Sequence, residues 1–142
     1  MFANPPQAQI EQLLRSARTI AVVGLSADPA RPSHRVARAL QGFGYRVIPV
    51  APAHTQILGE TAVASLQELP RVLKAGERVD LVDVFRRPEF VAGIVDECIR
   101  LKLPALWLQD GVIDPEAAAR AVAAGIFTVM DRCTYRDRAT LR

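Results

Sequence analysis

The stretch Thr19-Ile20-Ala21-Val22-Val23-Gly24-Leu25-Ser26 decides the fold. Five residues, most of them β-branched and none charged, suit a strand covered on both faces, which is the environment of a parallel sheet. A glycine directly after such a strand lets the chain turn tightly. The next helix can then begin with its unpaired amides and positive dipole end facing outward, an arrangement that favours an anion.

Working outward, residues 7 to 17 place Ile10, Leu13, Leu14 and Ala17 at helical spacing, so a short amphipathic helix precedes that strand. Downstream, Ser33 to Gly42 reads as a helix capped by Ser33 and closed by the Gly42/Gly44 pair. Strands are predicted at Tyr45 to Val50, residues 79 to 85, Ala105 to Leu108 and Ile126 to Met130. Helices are predicted at 89 to 101, with Phe90, Ile94, Val95, Cys98 and Leu101 as its apolar stripe, and at Asp114 to Ala124, with Asp114 as cap and Pro115 in the first turn. Residues 51 to 78 are the least regular, with a short helix at Ser65 to Leu69. This alternation implies one Rossmann-like, doubly wound α/β domain over residues 1 to 142, with a mainly parallel five-stranded sheet and helices on both faces.

Composition narrows the function classes. Half the residues are apolar and 23% charged, as in a globular protein, and no apolar run approaches the roughly 20 residues that span a bilayer. The N-terminus has no basic region followed by an apolar core, so a cytoplasmic location is expected. Two cysteines, Cys98 and Cys133, both in apolar segments, argue against a disulfide framework or a thiolate metal site. The net charge of +3 is carried by dispersed arginines, with Lys74 and Lys102 the only lysines. An anionic small molecule fits this better than a nucleic acid, which would want a basic stripe with aromatic platforms. A homo-oligomer is compatible with the composition.

In an open parallel sheet the ligand lies at the carboxyl ends of the strands, where strand order reverses. Five segments end there: Gly24-Leu25-Ser26, Val50-Ala51-Pro52, Val84-Phe85-Arg86-Arg87-Pro88, Gln109-Asp110-Gly111-Val112 and Asp131-Arg132-Cys133. The first has the position of a phosphate cradle, with the amides of Leu25 and Ser26 expected to face an anion. It departs from Gly-x-Gly-x-x-Gly because Ser26 replaces the second glycine and 28 to 32 lengthen the loop. After the second strand, Val50-Ala51-Pro52-Ala53-His54 lacks the carboxylate that holds a ribose hydroxyl in an NAD site. Arg31, Arg35, His54, Arg86 and Arg87 are cations within reach of a phosphate. No nucleophile and base can be paired and no metal-ligand set stands out. Cys98 is assigned to a helix core, Trp107 to a strand core, and His34 to the solvated first turn of a helix. Cys133 is read as a small half-buried residue at the edge of the site.

Taken together, Gly24-Leu25-Ser26 with Pro29, Arg31 and Ser33, then Gly44-Tyr45-Arg46-Val47-Ile48-Pro49-Val50-x-Pro52, Asp83-Val84-Phe85-Arg86-Arg87-Pro88-Glu89, Trp107-x-Gln109-x-Gly111-Val112 and Asp131-Arg132-Cys133 resemble the small stand-alone CoA-binding proteins. These are similar to the CoA-binding domain of the succinyl-CoA synthetase alpha subunit. The resemblance implies coenzyme A as ligand, with Gly24, Leu25 and Ser26 at the pyrophosphate and Arg31 and Ser33 close by. It also implies that Val50, Ala51, Pro52, Val84, Phe85 and Arg86 flank the adenosine, while Gln109 and Gly111 border the pantetheine arm. Cys133, by its place just past the fifth strand, lies at the edge where the thiol end of that arm is expected to arrive. Ala51 stands where the family usually has Asn, and Tyr135-Arg136-Asp137 departs from the family's tail. The expectation is binding of CoA or an acyl-CoA without catalysis. The alternatives are an NAD(H)- or other nucleotide-binding regulatory module, and the CoA-binding part of an acyl-CoA enzyme completed by a partner chain.

Overall fold

A computed structural model describes residues 1–141. The elements follow in the order α1 (Gln7–Ser16), β1 (Thr19–Val23), α2 (Pro32–Gly42), β2 (Arg46–Val50), β3 (Gln56–Ile57), β4 (Glu60–Thr61), β5 (Leu81–Val84), α3 (Val91–Arg100), β6 (Ala105–Leu108), α4 (Pro115–Ala123), β7 (Phe127–Met130) and α5 (Thr134–Ala139). Two 3₁₀ segments, Leu66–Arg71 and Pro88–Phe90, complete the chain. The five long strands form one parallel sheet in the order β2-β1-β5-β6-β7. After β2 the chain crosses to the other side of β1, so strand order reverses between β1 and β5.

Alternation along the strands divides the core into two layers. Ala21, Val23, Val82, Val84, Leu106 and Leu108 face one side, where they pack with α3, α4 and the Leu66–Arg71 turn. Ile20, Val22, Leu81, Ala105, Trp107 and Val129 face the other, with α1, α2 and Tyr45. The fully buried Trp107 donates its indole N–H to the carbonyl of Arg132 at 2.8 Å, which satisfies its polar atom and ties β6 to the segment after β7. At the amino edge, Asp80 accepts from the amides of Arg18 and Thr19 at 2.8 and 3.0 Å and thereby fixes where β1 begins.

The expected architecture is present, with four local differences. Residues 56 to 61 form a small antiparallel hairpin whose strands are too short to show periodicity. Helix α2 begins at Pro32, not Ser33: proline is well placed at a first helical position, and Ser33 is used elsewhere. The predicted helix at 89 to 101 divides into the Pro88–Phe90 turn and α3, which leaves Phe90 partly exposed instead of on the buried stripe. Helix α5, six residues with few apolar positions, carries too little pattern to be found by periodicity.

Helix α4 starts as its sequence predicts, with the Asp114 carboxylate accepting from the amide of Ala117 at 3.0 Å. Replacing that cap, Asp114→Ala, should lower stability by about 1 kcal/mol. In urea titrations the midpoint should fall while the m-value stays constant.

Candidate functional site

The reversal between β1 and β5 opens a cleft at the carboxyl edge of the sheet. It consists of a cavity of about 370 Å³ bordered by Leu25, Ala51, Pro52, His54 and Phe90, and one of about 630 Å³ bordered by Ser26, Arg31, Ser33, Gln109, Gly111 and Cys133. Gly24, Phe85, Arg86 and Arg87 line both, so the two halves meet over the strand-order switch.

Gly24 sits at φ +82°, and a Cβ there would lie 2.7 Å from the Phe85 carbonyl oxygen and 2.8 Å from Arg86 Cδ. Glycine is therefore demanded both by the left-handed turn and by the close passage of the β5 end. The loop that follows fastens itself. Ser33 Oγ accepts from the amide of Ser26 at 3.0 Å, Ser26 Oγ from Asp28 at 3.0 Å, and Asp28 Oδ1 from Ala30 at 2.9 Å. Arg35 donates to the carbonyl of Ala30 at 2.5 Å. The expectation that both Leu25 and Ser26 amides face an anion thus needs correction, because the Ser26 amide is held by Ser33. The amides of Leu25 and Ser33, one at each end of the loop, donate to no described residue.

The basic end of the cleft is built on an aromatic ring. Arg86 lies 4.1 Å and Arg87 5.7 Å from the centre of the Phe90 ring, within cation–π range. Arg87 also pairs with Glu89 at 3.4 Å. Phe90 was not expected here. The signal is the spacing Arg86-Arg87-x-x-Phe90, which a turn of 3₁₀ helix folds onto one side.

Of the expected site residues, Gly24, Leu25, Ser26, Arg31, Ser33, Ala51, Pro52, Phe85, Arg86, Gln109, Gly111 and Cys133 line one cavity or the other. Val50 and Val84 do not. Their side chains belong to the core, and their carbonyls accept from the amides of Gly24 and Gln109. His34 also differs from expectation, since it is buried on α2 and not a solvated residue. Cys98 is fully buried, and that burial pushes its thiol up to about 12. Cys133 is buried at the cavity edge, and its neighbour Arg132 is engaged by Asp137 at 2.5 Å and by Gln7 at 2.8 Å.

Beneath the larger cavity lies a polar cluster that strand periodicity hides. Gln109 Nε2 donates to Asp83 Oδ1 at 2.6 Å and to Thr134 Oγ1 at 2.7 Å, and Thr134 Oγ1 donates to Asp83 Oδ2 at 2.9 Å. All three residues are buried. The one hint in the sequence is a lone carboxylate in an otherwise apolar strand, Leu81-Val82-Asp83-Val84. Burial raises the Asp83 carboxyl from 3.8 to about 7, against the opposing effect of the hydrogen bonds from Gln109 and Thr134.

That shift predicts a pH dependence. In the unfolded chain Asp83 ionises near its ordinary value, whereas in the fold it holds its proton to about 7, so between these values the native state binds more protons. Its contribution to stability is complete below about pH 4 and falls as pH rises to about 7. The melting temperature of Asp83→Asn should lack this fall, measured against the parent protein from pH 4.5 to 8.

No helix is long and apolar enough to cross a membrane, and no group of three metal-ligating side chains occurs among the described residues. The chain is 39% identical over 130 residues to protein YneT of Bacillus subtilis (strain 168), covering 92% of each. It overlays the structure of cell-free ID.343 from Thermus thermophilus with a TM-score of 0.86 at 39% identity, over 95% of this chain and 98% of that one. It also overlays 27% of a dinucleotide-forming acetyl-coenzyme A synthetase 1 from Ca. Korarchaeum cryptofilum over 84% of its own length, with a TM-score of 0.67 and 21% identity, a likeness of fold. The family model described as CoA binding domain matches residues 18–138. With a five-stranded parallel sheet and a cleft at its switch point, the chain belongs to the CoA-binding domain family.

Proposed function

We propose that this protein binds coenzyme A or an acyl-CoA in the cleft over β1 and β5 and performs no chemistry of its own. The observation that carries the reading is the meeting of two cavities at Gly24 and Arg86, one with a basic, aromatic end and the other, the larger, with an end bordered by the neutral Gln109 and Gly111 beside Cys133. A long anionic ligand with a nucleotide at one end and a neutral arm at the other matches that polarity. In this reading the pyrophosphate lies against the loop from Gly24 to Ser33, where two unpaired amides and the start of α2 favour negative charge. The adenosine, with its ribose phosphate, takes the end bordered by Pro52, His54, Arg86, Arg87 and Phe90. The pantetheine arm runs toward Gln109, Gly111 and Cys133.

The choice of CoA over NAD rests on the same residues. The turn after β2 is Ala51-Pro52-Ala53-His54, which offers no carboxylate to hold the ribose hydroxyls of NAD and would instead accept a phosphate. The reading without catalysis rests on the composition of the cleft. Cys133 borders the larger cavity together with Gln109, Asp110 and Gly111, and no histidine is among the described residues lining that cavity to serve as its base.

Isothermal calorimetry at low salt should show one CoA per chain, with dephospho-CoA weaker and NAD much weaker. Equal or tighter binding of NAD would refute the assignment. Arg86→Ala should weaken CoA at least about tenfold, the size of a lost charge-assisted hydrogen bond. Acetyl-CoA and succinyl-CoA incubated with the protein should lose thioester no faster than in buffer, followed by thiol release. Rapid release that disappears in Cys133→Ser would show an enzyme instead.

A further inference from the structure

The buried cluster below the larger cavity has a consequence for what that cavity accepts. Both hydrogens of Gln109 Nε2 are engaged, one by Asp83 Oδ1 and one by Thr134 Oγ1. The Thr134 hydroxyl closes the ring by donating to Asp83 Oδ2. With Asp83 ionised the ring can be satisfied in only one sense. A carboxylate has no proton to give, so the amide must turn its N–H₂ inward and its carbonyl outward. Oε1 accepts nothing from the described residues, yet Arg138 Nε is the sole described side-chain polar atom that is both buried and unpartnered. Oε1 therefore meets solvent, and the solvent Gln109 borders is the larger cavity.

We propose that Asp83, in its ionised form, and Thr134 are positioning residues that fix the Gln109 carboxamide with its carbonyl toward the cavity, so that the site selects a ligand arm bearing an N–H donor at that point. Resting on the CoA reading above, the matching group is one of the two amide N–H groups of the pantetheine arm. Two properties of the ring suit this task. It is built on β5, on the end of β6 and on α5, so the amide is held from three elements. Its supporting partners are buried, which makes rotation of the amide costly because a carbonyl turned toward an ionised Asp83 would face oxygen on oxygen. A ligand oxygen placed at the same point would meet the same repulsion from Oε1.

Changing Asp83 to Val removes the acceptor that orients the amide. The Thr134 hydroxyl that remains can accept from the Gln109 N–H₂ or donate to Gln109 Oε1, so the carbonyl is no longer fixed toward the cavity. The test is a comparison of ligands at pH 8, where Asp83 is ionised. Calorimetry is run with CoA and with two CoA analogues, each having one pantetheine amide N–H replaced by an ester oxygen. The parent protein should bind one of the two analogues about tenfold or more weaker than CoA, the size of one hydrogen bond between buried partners. Asp83→Val should lose most of this discrimination and bind that analogue within a few-fold of CoA. Thr134→Ser, which keeps the hydroxyl, should discriminate like the parent.

Unchanged discrimination in a folded Asp83→Val protein would overturn the positioning role. CoA binding with no discrimination against either analogue would overturn the proposal and leave the CoA reading intact, whereas absence of CoA binding would overturn both. A second measurement does not depend on the variant's folding. In the parent protein the Gln109 side-chain N–H₂ signals, identified by their loss in Gln109→Leu, should exchange slowly with solvent in NMR spectra. Exchange at the rate of an exposed glutamine would place the N–H₂ in the cavity and sink the proposal.

Discussion

The passage of the chain at Gly24 beneath the end of β5 is the contact on which the site depends. Any side chain at that position would press on the Phe85 carbonyl and the Arg86 stem. Only a glycine lets β1 and β5 remain paired to their last residues, and the amide of Phe85 continues that pairing by donating to the carbonyl of Val23 at 2.8 Å. From there the two chains diverge, one into the serine-fastened loop and α2, the other into Arg86, Arg87 and the turn carrying Phe90. The cleft is the space that this divergence leaves. Its location follows from topology, since helices flank both faces of the sheet and the strand order reverses between β1 and β5.

Electrostatics in the cleft are divided by burial. At one end, Arg86 and Arg87 rest on the face of the Phe90 ring and line the cleft, where a phosphate can meet them. At the other end, the Asp83 carboxyl beneath the larger cavity is shielded by neutral donors and holds its proton to about pH 7. Two arginines nearby are tied to carboxylates, Arg132 to Asp137 and Arg136 to Asp110 at 2.7 Å. A ligand with a strongly anionic head and a neutral amide arm matches this gradient.

Much of this was legible in the sequence. The apolar runs at Thr19 to Val23 and Ala105 to Leu108 identify buried parallel strands, and the placement of Gly24 and Gln109 at strand ends follows directly from them. What escaped did so for physical reasons. Helix α5 is too short to carry a period, and without it Thr134 has no address. Ser33 has the chemistry of a helix cap but faces back into the loop, because Pro32 supplies the first helical residue and frees the hydroxyl for the Ser26 amide. Val50 and Val84 are at the right strand ends, but the strand's alternation directs their side chains into the core. Asp83 appears as an interruption of a strand pattern, and only tertiary structure reveals its two buried partners.

The central claim is that one CoA lies across the switch point of the sheet. A crystal structure of the protein grown with CoA tests it most directly. The account predicts pyrophosphate oxygens within hydrogen-bond distance of the Leu25 and Ser33 amides, the adenine end beside Phe90 and Arg86, and the pantetheine arm over Gln109. CoA bound at another surface, or in the reverse direction with its adenine over Gln109, would contradict it.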